Sequence, residues 1–140
     1  MRLGELLISK GVITEAQLLS ALRRHYTTHD MLGECLILEG VITEQMMLLA
    51  VGEQTGMSYV DPIPGDGFTS LSLGVFSASL ANKLCSIAGQ RGSELVVYIN
   101  GNPDAITPHL NGCGMDVVFV LSRKSQIRQA ISSAYQRFTH

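Results

Sequence analysis

LGELLISKGVITE at residues 3–15 and LGECLILEGVITE at residues 32–44 are one phrase written twice, identical at ten of thirteen positions. Setting Leu3 on Leu32 gives an offset of 29 residues, and the match runs on through Leu19/Leu48 and Ala21/Ala50, so that twelve of the 23 positions in 3–25 recur in 32–54. Within each copy, Leu3, Leu6 and Leu7, then Leu32, Cys35 and Leu36, fall at i, i+3 and i+4, the spacing of one face of a short helix.

A glycine closes each of these helices, Gly11 in one copy and Gly40 in the other, where a left-handed residue ends a helix cheaply. Thr14 and Thr43 then cap a second helix. The first copy has the reciprocal partner Gln17, whereas the second has Met46 there and keeps only the threonine half. Leu18, Ala21 and Leu22, matched by Met47, Ala50 and Val51, form the apolar stripe of that second helix. A hairpin this short cannot cover its own stripe, so two copies packed face to face make the smallest bundle that buries itself. Gly4 and Gly33 are not terminators. Each lies near a helix start, where alanine would be favoured by about 1 kcal/mol, and so calls for a close backbone approach.

Beyond Gly56 the pattern changes. Residues 61–67, DPIPGDG, form a turn-rich linker, and Phe68 to Phe76 is an apolar stretch with no clear period. Ser77–Leu84 is expected to be a helix, and CSIAGQ and ELVVYIN to be strands joined at Arg91-Gly92-Ser93. Asn102-Pro103-Asp104 is expected to open a further helix, MDVVFVLS to be another strand, and Ser122 to cap a last helix from Arg123 to about Phe138. The expected fold is α+β: an N-terminal four-helix unit of two repeated helical hairpins over 1–60, then a small α/β sandwich with a three-stranded sheet over 61–140.

Composition narrows the function classes. At 46% hydrophobic and 16% charged residues the chain can bury a core, and a net charge of -2 gives no diffuse attraction to DNA, RNA or an anionic membrane. No apolar run reaches the length of a membrane span and the start lacks the layout of a signal peptide, so any membrane association is expected to run through a partner. Cys35, Cys85 and Cys113 form no CxxC pair and read as buried thiols in a reducing cytoplasm, not as a disulfide framework or a zinc site.

Catalytic signatures are missing too. There is no GxxxxGK[ST] stretch, and Asn111-Gly112-Cys113-Gly114 precedes a strand instead of a helix, so it reads as a turn and not as a phosphate loop. His25 and His29 stand at i, i+4 beside Asp30, but Thr27-Thr28 disfavours a helix continuing to His29, and the segment reads as a solvated connection with no metal expected. Arg23-Arg24 and Arg123-Lys124 read as solvated helix faces, and Met46-Met47 as core. No nucleophile sits opposite a base, so no enzyme activity is expected of these residues.

The stretch RLGELLISKGVITEAQLLSAL at 2–22, its second copy, and QTGMSYVD at 54–61 resemble the N-terminal (MshE-type) domain of type II secretion and type IV pilus assembly ATPases. The resemblance implies a non-catalytic domain, without a cofactor. Such a domain docks the assembly motor to an inner-membrane platform protein on the cytoplasmic side, and in a subset the paired motifs hold cyclic di-GMP. Carried over residue by residue, the ligand role falls on Arg2, Leu3, Gly4, Leu18, Leu22 and His25 in the first copy and on Leu32, Gly33, Val51 and Gln54 in the second. Met31 stands where the second motif would carry its arginine, and His25 where the first would end in glutamine. Asn102-Pro103 replaces a common Asp-Pro. An arginine stacked on a guanine contributes about 1–2 kcal/mol once desolvated. The docking role therefore ranks first and the dinucleotide role second.

Overall fold

The computed structural model describes residues 2–101 and 103–138. Both phrases fold as a helix, a glycine turn and a second helix: α1 (Leu3–Ser9) and α2 (Glu15–Thr28), then α3 (Leu32–Leu38) and α4 (Glu44–Thr55). Gly11 and Gly40 take φ of +71° and +74°. That left-handed turn lets the amides of Val12 and Val41 donate back to the carbonyls of Leu7 and Leu36, closing both helix ends alike. Thr14 completes a capping box with Gln17, while Thr43 accepts from the Met46 amide alone.

Helix pairing crosses the repeat boundary: α1 lies against α4 and α2 along α3. Each copy thus covers the other. Leu7, Ile13 and Ala21 from the first copy and Cys35, Leu36, Ile42, Met47, Leu48 and Ala50 from the second make the core. The copies are not equally buried, for Leu19 is 56% exposed while its repeat equivalent Leu48 is at 0%. The cause is that α4 packs on both α1 and α3, whereas α2 lies chiefly along α3. Met46 and Met47 split likewise, Met47 buried and Met46 exposed, so only one of the pair is core.

Against expectation, α2 continues through Thr27 and Thr28 and ends at His29, whose φ is +64°. The two threonine hydroxyls donate to the carbonyls of Arg23 and Arg24 one turn back, so they are satisfied inside the helix.

A second compact unit begins at Met57, earlier than the boundary at 60 read from the sequence. Its sheet has four strands, not three: β1 (Ser58–Tyr59), β2 (Ile87–Arg91), β3 (Glu94–Ile99) and β4 (Asp116–Leu121), in the order β1-β4-β3-β2. β2 and β3 are antiparallel around Gly92-Ser93, with Gly92 at φ +61°. β4 runs parallel to β3, and the added strand β1 runs parallel to β4. Residues Leu95 to Ile99 are all buried, as a central strand covered on both faces requires.

The edge strand is held from the far end of the chain. The Val60 amide donates to the Leu121 carbonyl, and the fully buried Ser122 donates its hydroxyl to the Val60 carbonyl at 3.1 Å. Ser122 was expected to cap the last helix, but that helix, α7 (Lys124–Phe138), begins two residues later. Arg123 was expected in solvent, yet its Nε lies 2.9 Å from Asp61 Oδ2.

Phe68 to Phe76 contains a short helix, α5 (Ser70–Leu73), with Thr69 and Ser72 forming its capping box, and α6 (Ala78–Leu84) follows, capped by Ser77. The Tyr135 hydroxyl of α7 faces the carbonyls of Phe76 at 2.7 Å and Leu73 at 3.1 Å, tying α7 to this corner. The helix expected from Asn102-Pro103-Asp104 is instead two 3-10 turns, Pro103–Ala105 and Thr107–Leu110, and Asn102 lies outside the described residues. Pro108 has no amide to continue an α-helical ladder, so the chain breaks into tighter pieces.

Burial pushes the Cys35 thiol and the Tyr98 and Tyr135 phenols up from their ordinary values of 9.0 and 10.0, with the Asp30 carboxylate adding to the effect at Cys35. Raised folded-state values mean that the unfolded chain loses these protons first. Their stabilisation is therefore complete below pH 9.0 and falls as pH rises through 10.0. Thermal midpoints should drop across this range, and Tyr135→Phe should flatten the drop in the second unit; an unchanged slope would contradict the assignment.

Candidate functional site

The openings of the two copies share their backbone. Arg2 precedes α1 with φ -71° and ψ 154°, and Met31 precedes α3 with φ -61° and ψ 145°; neither provides a capping side chain. Arg2 is exposed, and its guanidinium makes no hydrogen bond or ion pair with a described residue. Met31 is 65% exposed, so the second opening presents a thioether where the first presents a cation.

Gly4 and Gly33 are both buried, and the close approach they allow comes from their own hairpins. A Cβ on Gly4 would stand 2.8 Å from Leu18 Cδ1, and one on Gly33 would stand 2.9 Å from Met47 Cγ. Leu18 and Met47 occupy equivalent repeat positions. The structure thus brings Gly4 and Leu18 together and gives both glycines a packing reason. The costs of adding a methyl should differ: Leu18 is half-buried and meets the methyl with its movable tip, whereas Met47 is buried and meets it with an inner carbon. Gly4→Ala should fall within about 0.5 kcal/mol of wild type. Gly33→Ala should lose about 1–3 kcal/mol. Urea titrations of the two variants check this, and equal costs would refute it.

Leu3, Leu22, Leu32 and Val51 are half-buried, Leu22 and Val51 lying one turn beyond Leu18 and Met47, and Gln54 is exposed near the end of α4. His25, expected among the ligand residues, is half-buried in the last turn of α2. Its Nδ1 faces the Asp30 carbonyl, and a carbonyl only accepts, so Nδ1 carries the proton and donates. Nε2 alone is left for another partner. The Cys35 thiol donates to the same carbonyl at 3.7 Å, so both side chains fix the turn between α2 and α3. Reading the sequence missed Cys35 in this role. Its signal was there, for Leu6/Cys35 is one of the few differences between the phrases.

The described residues contain no group of three or more His, Cys, Asp or Glu suited to a metal, and none of their helices is long and apolar enough to cross a membrane. Gly112 and Gly114 take φ of +82° and +73° in the turn before β4. In the second unit a cavity of about 410 Å³ lies between the 62–68 segment and α7, with Pro62, Pro64 and Phe68 on one side and Gln129, Ser133 and Arg137 on the other. The sequence reading treated that segment only as a linker.

Two helical hairpins of one motif, followed by a small α+β unit with a mixed sheet, define the fold class. Solved structures share it. A structure of MshE with c-di-GMP matches with a TM-score of 0.81 at 24% identity, covering 96% of this chain and 99% of that one. The N-terminal domain of XpsE matches in one crystal form with a TM-score of 0.75 at 19% identity, covering 94% of this chain and 92% of that one. In a second form the values are 0.59 and 18%, with 94% and 93% covered. The fold is the one expected from the doubled motif, that of the MshE and XpsE N-terminal domains. No protein-family model matches the chain, and no curated protein sequence does.

Proposed function

We propose that this chain is a non-catalytic docking and regulatory domain of a type II secretion or type IV pilus assembly machine, acting on the cytoplasmic side through an inner-membrane platform protein. The observation that carries this reading is the doubled Leu-Gly hairpin in a fold shared along nearly the whole chain with the XpsE N-terminal domain. Exposed apolar side chains on the helical unit, Leu19, Tyr26, Leu38 and Leu49, offer contact surface of the kind a partner covers. Leu19→Glu and Leu49→Glu should each weaken capture of the platform protein's cytoplasmic part at least tenfold while the circular dichroism stays unchanged. Undiminished capture by both variants would end the docking assignment.

A second reading is favoured by one feature, the exposed Arg2 with no partner in the described residues, beside Leu3 and Gly4. The similar MshE structure holds c-di-GMP. On this reading the first opening binds one guanine half by its arginine, and the second opening, with Met31, contributes only apolar contact.

A further inference from the structure

One of the few differences between the phrases exchanges a charge: Lys10 in the first copy is Glu39 in the second. Further along, Arg24 of α2 is matched by Glu53 of α4 at the same offset of 29. The structure pairs these two positions across the repeats, and does so twice. The Lys10 ammonium meets the Glu53 carboxylate, and Arg24 Nε lies 3.9 Å from Glu39 Oε1. Glu39 also accepts the Ser20 hydroxyl at 2.8 Å, again across the repeats.

The polarity is reversed between the two pairs, since the first copy supplies the cation each time. It extends to the rest of each copy: residues 2–28 contain four Lys or Arg and two Glu, whereas residues 31–55 contain four Glu and no Lys or Arg. A contact between two first copies in the same geometry would put Lys10 against Arg24 twice. Two second copies would put Glu39 against Glu53 twice.

We propose that the surface between the hairpins is a charge-coded interface that accepts a first copy only with a second, so that the partner of either hairpin is one of opposite sign. The apolar residues common to both copies do not make this distinction. Buried Leu7 and Ile13 recur as Leu36 and Ile42, so this part of the apolar packing suits a matched pair as well as a mixed one. Exposed ion pairs add little to stability by themselves. Discrimination is a difference, however, and like charges at both sites of the wrong pairing enlarge it. The code directs the two tandem hairpins onto each other while the chain folds among many copies of itself.

The test uses three variants of the whole chain, refolded from urea at high protein concentration and examined by native mass spectrometry and thermal melting. Lys10→Glu with Glu53→Arg keeps an ion pair at both sites within a chain but makes the two copies alike in charge. Its melting point should stay near wild type while its dimer fraction rises several-fold. Lys10→Glu with Arg24→Glu sets like charges together at both sites and should lower the midpoint by about 5 °C, less in high salt. Adding Glu39→Lys and Glu53→Arg to that pair reverses the whole code and should restore the midpoint, with a dimer fraction no higher than that of wild type. A charge-matched variant as monomeric as wild type would overturn the proposal. So would a fourfold variant that fails to regain the lost stability.

Discussion

Leu48→Ala should cost the helical unit about 3 kcal/mol, while the same change at its repeat equivalent, Leu19→Ala, should stay within about 0.5 kcal/mol. The residues are the same and the local sequence is nearly so. What differs is that Leu48 is buried at 0% exposure and Leu19 stands 56% in solvent. Removing Leu48 loses its transfer free energy and leaves a void between α4 and its neighbours α1 and α3, because packed helices collapse only partly around a lost side chain. Urea unfolding followed by far-ultraviolet circular dichroism separates the two outcomes. Equal costs would mean that the copies bury their second helices alike, contrary to the structure.

Cyclic di-GMP supplies the second large effect. If the chain binds it, Arg2→Ala should abolish the heat of titration, and Met31→Arg should tighten binding about tenfold by giving the second opening a cation to stack on guanine. The backbone at Met31 already matches that at Arg2, so the new side chain would leave the helix at the same angle. His25→Gln should gain less, because the imidazole is engaged through Nδ1 with the Asp30 carbonyl, and its replacement also loosens the turn between α2 and α3. A flat isotherm for wild type and for Met31→Arg, at millimolar ligand, would remove the dinucleotide reading and leave the docking role untouched.

How far the sequence discloses the fold depends on how local each cause is. The four helices of the first unit could be read because their periodicity, glycine stops and threonine caps all lie within a few residues of one another. β1 could not: two residues show no alternation, and its partners Val120 and Leu121 come from the far end of the chain. The turns after Pro103 were misread as one helix although Pro108 was in view. Gly4 and Gly33 announced a close approach, but only the coordinates name Leu18 and Met47 as the neighbours. The candidate site shows the same division. Arg2 is named by the motif's resemblance alone, whereas the engagement of His25 depends on where Asp30 falls after a left-handed turn that no residue type required.

The cross-repeat pairing has a consequence for motion. With α1 resting on α4, the first and last helices of the unit cover one another. Separating that pair uncovers the facing sides of both, so amide hydrogens in these two helices, remote in sequence, should share the exchange that this one opening allows.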